Sequence, residues 1–158
     1  MEEITIRTAT ANDLDALLGF EQGVIEAERP FDVTLKDGAI HYYDLEGLIA
    51  ASNVELVVAE LNGEVVGSGY ARIEESKPYL KHDQHAYLGF MYTVPEHRGK
   101  GVNKTVMKAL EQWSISKGIM EMRLEVYTNN LAAIKAYEKA GFTEHMLEMR
   151  LDLGKQEA

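Results

Sequence analysis

The sequence predicts an α/β domain in which a mixed sheet carries helices on both faces. Three observations predict it. The elements read in the order β α α β β β α β α β, an Asn62-Gly63 dipeptide joins two β-rich runs into an antiparallel hairpin, and a glycine-punctuated strand–turn–helix comes late in the chain. With 158 residues, 46% apolar and 27% charged, residues 1–158 are expected to form one domain that buries its own core.

Each element follows from local pattern. Ile4 and Ile6 share one face of a first strand, and Thr10 with Asp13 forms a capping box that opens a helix. Leu14, Leu17, Leu18 and Val24 or Ile25 mark that helix's buried stripe. The stretch from Arg29 to about Ile40 has no clear period, after which Tyr42, Leu45, Leu48 and Ile49 have helical spacing, ending near Ser52 and Asn53. Residues 54–60 and 64–73 are the two hairpin strands. Residues 85–94 form the next strand and stop at Pro95, which has no amide for a ladder. Val102, Val106, Leu110 and Trp113 then recur every three or four residues up to Gly118, a helix stop. Residues 120–127 alternate as a strand, 129–140 form a helix that ends at Gly141, and Met149, Leu151 and Leu153 predict at least one more strand in the tail.

Composition removes whole classes of function. There are 16 Lys+Arg against 26 Asp+Glu, a formal charge of −10, which disfavours a nucleic-acid ligand and suits a cationic one. No apolar run approaches the ~20 residues of a membrane span, and the start MEEITIR lacks the features of an export signal, so a cytoplasmic protein is expected. Zero cysteines exclude disulfides, thiolate zinc sites and an acyl-cysteine route.

Two short segments carry chemistry. In VPEHRGKGVNK, residues 94–104, Gly99 and Gly101 let the backbone curl so that successive N–H groups converge, and the following helix adds its positive end, which together suit a pyrophosphate. A glycine-rich helix start with Arg98 and Lys100 merely solvated reads equally well from this segment alone. A Walker A loop does not fit, because Asn103 rather than glycine precedes Lys104, and the dinucleotide fingerprint fails where Lys104 stands for its third glycine. In the second segment, residues 126–142, Asn130, Ala133 and Tyr137 lie on one helical stripe, away from Lys135, Glu138 and Lys139. A small residue between an amide and a phenol admits an extended ligand; the alternative is that Asn130 caps the helix and Tyr137 packs in the core.

Taken together, VPEHRGKG, the later NxxAxxxY at Asn130, Ala133 and Tyr137, and the Gly141-Phe142 pair resemble the GNAT superfamily of acyl-CoA-dependent N-acyltransferases. The specific part covers roughly residues 86–143. The resemblance implies a central, mostly antiparallel sheet of six to seven strands with about four helices on both faces. It implies acetyl-CoA as co-substrate and no metal. Tyr92, Thr93 and Val94 would pair with the pantetheine arm through their backbones, and Arg98, Gly99, Lys100, Gly101, Val102 and Asn103 would cradle the pyrophosphate. Asn130 would contact the pantetheine arm beside Ala133, and Tyr137 would protonate the departing thiolate. Asn103 departs from the family's usual Gly or Ala, which puts cofactor affinity in question.

The implied reaction is direct attack of a primary amine of a small molecule or peptide on the thioester in a ternary complex. Offering a lysine-like amine as its free base costs about 4.6 kcal/mol at pH 7, so a base or an acidic pocket must offset that. His85, at the start of the strand before the loop, is the best-placed base, with His82, Asp83, Glu144 and His145 as rivals and His97 expected to face solvent. Acceptor specificity is expected from 29–43 and 74–85, where Phe31, His41, Tyr42, Tyr43 and Tyr79 offer aromatic walls. Asp32, Asp37, Asp44, Glu74 and Glu75 offer anions; a packed lid loop with a solvated acidic rim is the competing reading. Members of the family often dimerise, although no face of this sequence marks an interface. A transferase of longer acyl groups and a catalytically silent acyl-CoA sensor remain alternatives.

Overall fold

Hydrogen-bonded ladders form where the alternating runs of the sequence find neighbours. The computed structural model describes residues 3–155. They form two compact units, divided between Tyr127 and Thr128. In the first, β1 (Ile4–Thr8), β2 (Val54–Leu61), β3 (Glu64–Glu75), β4 (Gln84–Thr93) and β5 (Met122–Arg123) make one sheet in the order β1-β2-β3-β4-β5. The first four strands are antiparallel neighbours, and β5 joins β4 in parallel. The Asn62-Gly63 turn is realised with φ of 54° and 77°, the paired positive values a tight two-residue hairpin requires.

Period-2 alternation sends each strand's side chains to opposite layers. Leu56, Val58, Tyr70 and Phe90 build a core with Leu17 and Phe20 of α1 (Leu14–Glu28) and Leu45 of α2 (Leu45–Ala50). On the other face, α3 (Val102–Ser116) buries Val102, Val106 and Leu110. It approaches β3 so closely that a Cβ on Gly67 would lie 2.7 Å from Val102 Cγ1, and one on Gly69 2.7 Å from Val106 Cγ1. The stripe of α1 differs from the expected one at two points. Leu18 is exposed, and Phe20 and Glu21 are buried in its place.

The second unit holds α4 (Leu131–Lys139), capped by Asn130 and stopped at Gly141 with φ 108°. Two expectations need correction. Residues 120–127 contribute only the two-residue β5, and the alternating tail through Met149, Leu151 and Leu153 forms no strand, so the sheet has five strands among the described residues rather than six to seven. Alternation makes a segment competent to be a strand, but a strand exists only with a ladder partner, and among the described residues of the second unit no segment forms a ladder with the tail. No described helix is long and apolar enough to cross a membrane.

The start of α1 is tied to β1 by charge. Arg7 donates two 2.8 Å hydrogen bonds to Asp13, which is 6% exposed, and also pairs with Glu60. Asp13 accepts from the Thr10 amide at 2.7 Å as well, completing the capping box. The Arg7 guanidinium holds the Asp13 carboxyl below the ordinary carboxylate range, against its burial. A depressed pKa contributes stability above the ordinary value that is lost as pH falls through the depressed one. Asp13→Asn is expected to cost about 2 kcal/mol at pH 7 and to flatten the loss of stability below about pH 4, checked by urea melts across pH.

Candidate active site

β4 changes character along its length. It pairs with β5 only at Ala86 and Tyr87, so beyond Tyr87 that edge has no strand partner among the described residues. On the other edge, the register with β3 shifts between Ser68 and Tyr70, where two steps of β3 face three of β4. The extra residue makes a β-bulge, and Phe90 within it has φ 56°. A bulky side chain in this left-handed region costs about 1–3 kcal/mol and persists only where its surroundings over-determine it. Here they do. Phe90 is fully buried, its ring lies 4.8 Å from that of Tyr43, and its carbonyl accepts from the buried Ser68 hydroxyl at 2.9 Å.

Past the bulge, the Val94 amide donates to Val66 of β3 at 2.9 Å, and the Val94 carbonyl accepts from the His97 amide at 3.0 Å. Backbone polar groups alternate sides along a strand, so Tyr92 and Val94 turn toward β3 and Thr93 toward the open edge. Arg98 folds back over this edge, donating to the Thr93 carbonyl at 3.1 Å with its guanidinium 5.8 Å from the Tyr92 ring. Tyr92 in turn packs against Phe20, ring centroids 5.1 Å apart.

The chain then runs through Pro95–His97 into a turn where Gly99 and Gly101 have φ of 79° and 84°. Gly101 is the N-cap of α3 and supplies no side-chain cap. The first helical bond closes from Thr105 to Gly101, so the amides of Val102, Asn103 and Lys104 belong to the unbonded first turn and point out of the helix end. Nothing lies within 4 Å of a Cβ built at Gly99 or Gly101, which leaves the loop open to a close-packed anion. Lys100 Nζ sits 3.2 Å from His97 Nδ1 beside it.

A cavity of about 570 Å³ opens on the α2 side of β3 and β4. Tyr42, Tyr43, Tyr70 and Tyr87 are its walls, and Asp44, Glu74 and Glu125 outnumber its single cation, Arg72. The Arg72 guanidinium lies 5.5 Å from the Tyr70 ring and 5.6 Å from the Tyr87 ring and pairs with Glu74 at 2.7 Å. Tyr87 donates to Glu125 at 2.9 Å. Burial raises the phenol pKa of Tyr43, Tyr70 and Tyr87 above the ordinary tyrosine range, so all three are neutral at physiological pH.

His85, expected as a base, is 6% exposed and does not line this cavity. Its Nδ1 is 2.8 Å from Ser76 Oγ and its Nε2 3.3 Å from Glu74 Oε1, which places it behind the carboxylate that faces the cavity. Of its rivals in this unit, His82 pairs with Glu121 at 2.8 Å. The expected acceptor region is only partly assembled: Tyr42, Tyr43, Asp44 and Glu74 meet at the cavity, whereas Tyr79 is 82% exposed and Phe31 stacks on Tyr127. Sequence reasoning missed Tyr70, Arg72, Tyr87 and Glu125. A signal existed, because Tyr70, Arg72 and Glu74 stand at i, i+2 and i+4 of one strand and must share a face.

In the second unit the Asn130 carbonyl oxygen accepts from the Ala133 amide at 3.3 Å, the capping alternative for that side chain. Tyr137 packs edge-on to Phe142, centroids 5.9 Å apart, and shares the helical stripe of Asn130 and Ala133.

Comparison with known proteins fits this geometry. The acetyltransferase (GNAT) family model matches residues 22–142. An aminoglycoside N(6')-acetyltransferase type 1 of Klebsiella aerogenes is 30% identical over 103 residues, 63% of this chain and 66% of that protein, so the chain spans just under two thirds of its length. A Stenotrophomonas maltophilia protein of the same name is 25% identical over 155 residues, 94% of each. A predicted acetyltransferase of Clostridium acetobutylicum, solved with acetyl-CoA, superposes with a TM-score of 0.73 at 18% identity, covering 99% of this chain and all of that one.

Proposed function

The chain belongs to the acetyltransferase (GNAT) family, and from that membership we propose that it transfers the acetyl group of acetyl-CoA to a primary amine of a small molecule or peptide, in a ternary complex. The observation that carries the reading is the open edge of β4 running through Thr93 into the glycine turn, with an acidic, tyrosine-walled cavity on the same strand. When bound, acetyl-CoA supplies the thioester. On this reading Thr93 offers the pantetheine arm its outward amide and the remaining lone pair of the carbonyl that Arg98 engages, as an added strand would use them. The amides from Gly99 to Asn103, with Arg98 and Lys100 near by, receive the pyrophosphate, and Asn103 supplies an amide there whatever its side chain does. Asn130, Ala133 and Tyr137 form the α4 stripe that meets the pantetheine arm and the sulfur.

The cavity handles the amine. Glu74 accepts a proton from the ammonium, with His85 behind it holding the carboxylate in place, so that the nitrogen lone pair is free to attack the carbonyl carbon. As the C–S bond breaks, the Tyr137 hydroxyl gives its proton to the thiolate, and the second proton that the nitrogen sheds as the amide forms passes to solvent, which reprotonates Tyr137. The names of the relatives put amino-sugars beside diamines and peptides in the panel to be tried. Incubating the protein with acetyl-CoA and that panel while following thiol release is expected to show amine-dependent turnover. Saturable CoA binding with no turnover of any amine would overturn the transferase reading in favour of an acyl-CoA sensor.

A further inference from the structure

Glu21 lies at the centre of the buried stripe of α1, between Leu17 and Ile25, and is 0% exposed. A carboxylate in that position is expensive unless donors surround it, and no lysine or arginine among the described residues pairs with it. Its donors come from an irregular stretch. Glu21 Oε2 accepts the backbone N–H of Tyr42 at 2.9 Å and of Tyr43 at 2.8 Å, while Oε1 is 2.7 Å from His41 Nδ1. The neighbouring Gln22 donates to the Ile40 carbonyl at 2.9 Å. Residues 40–44 lie outside any helix or strand, so these bonds to α1 stand in for a ladder.

What the clamp holds is the cavity wall. Tyr43 packs 6.0 Å from Tyr70 and 4.8 Å from Phe90, the bulge residue of β4, and Asp44 follows at once as the cap of α2. We propose that Glu21 is a positioning residue for the acceptor: by gripping the two consecutive amides of Tyr42 and Tyr43, it sets how far the tyrosine wall stands from the β4 bulge and thereby shapes the amine's approach. This rests on the cavity being the acceptor site. Acetyl-CoA lies outside the clamp's reach on that reading, which separates the two substrates kinetically.

The test uses Glu21→Met, which keeps the volume and removes the acceptor oxygens, and Glu21→Gln, which keeps one oxygen able to take both amides. With neamine and 1,4-diaminobutane as probe acceptors, Glu21→Met is expected to raise the acceptor KM about tenfold while the acetyl-CoA KM stays within about twofold, and Glu21→Gln to restore the acceptor KM to within about threefold. An unchanged acceptor KM in Glu21→Met, or a parallel rise in both KM values, overturns the clamp. Hydrogen exchange needs no acceptor and no variant: the Tyr42 and Tyr43 amides of the wild-type chain are expected to exchange at least about 100-fold slower than free peptide, and free-peptide rates there overturn the clamp outright. A wild-type protein that shows this protection but acetylates no amine refutes the transferase reading and leaves the clamp's geometry standing.

Discussion

Tyr137→Phe is expected to lower kcat about 100-fold and to leave the acetyl-CoA dissociation constant within about twofold, because a positioned proton donor contributes about 10²–10⁴ in rate while the ring's packing is retained. The variant keeps the edge-on contact with Phe142 and the stripe shared with Ala133, so α4 loses only a hydroxyl. Its readouts are steady-state thiol release under saturating acetyl-CoA and calorimetric titration with CoA. An unchanged kcat would remove Tyr137 as the acid, and a fall in kcat accompanied by weakened CoA binding would assign the hydroxyl to cofactor binding instead.

Gly101→Val is expected to raise the acetyl-CoA KM about 30-fold and to cost about 1–2 kcal/mol of stability, since a β-branched residue is forced toward left-handed backbone angles at φ 84°. Nothing crowds a Cβ at this position, so the stability loss is backbone strain rather than a clash. The larger effect on KM has a different origin. To escape the strain the turn must rotate its amides away from the anion, and the added side chain projects into the open space a close-packed pyrophosphate would need. Gly118 supplies the control: it has φ 78° at the other end of α3 and is equally uncrowded. Gly118→Val is expected to lose similar stability with the acetyl-CoA KM unchanged. If both variants shift KM alike, the effect is destabilisation and the cradle assignment fails.

The parts of this architecture legible in the sequence are those that local chemistry decides. Asn62-Gly63 tolerates two successive positive φ values, Thr10 and Asp13 close a capping box, and Gly99 and Gly101 mark a turn that β-carbons would strain; each is visible without knowing what lies across from it. What depends on partners was less legible. The alternation at 120–127 and in the tail is as regular as in β2, but only Met122 and Arg123 find a ladder. His85 has suitable chemistry and shares the face of Glu74 and Tyr87, yet it sits at the start of the strand, where Ser76 and Glu74 engage its ring nitrogens and it falls short of the cavity. Glu21 reads as an interruption of an apolar stripe, because the amides it serves come from 21 and 22 residues further on, in a segment with no period of its own. Tyr70, Arg72 and Glu74 were recoverable from period-2 spacing once the strand was placed, whereas Tyr87 joins them through the antiparallel register that sets it opposite Arg72, and Glu125 only through the parallel return of the chain.

The bulge at Phe90 sets the course of the strand through the site. A single additional residue stands in β4 between Gln84–Gly89 and Tyr92–Thr93, both of which keep their pairing with β3, while the far edge is already without a strand partner after Tyr87 among the described residues. Removing one residue there would leave Gly89 opposite Tyr70 and Tyr92 opposite Ser68, each on the face it already has, and would take away only the bulge with the bend it gives the strand. The sheet would survive that loss, whereas the direction in which Tyr92–Thr93 leaves it toward the glycine turn would not.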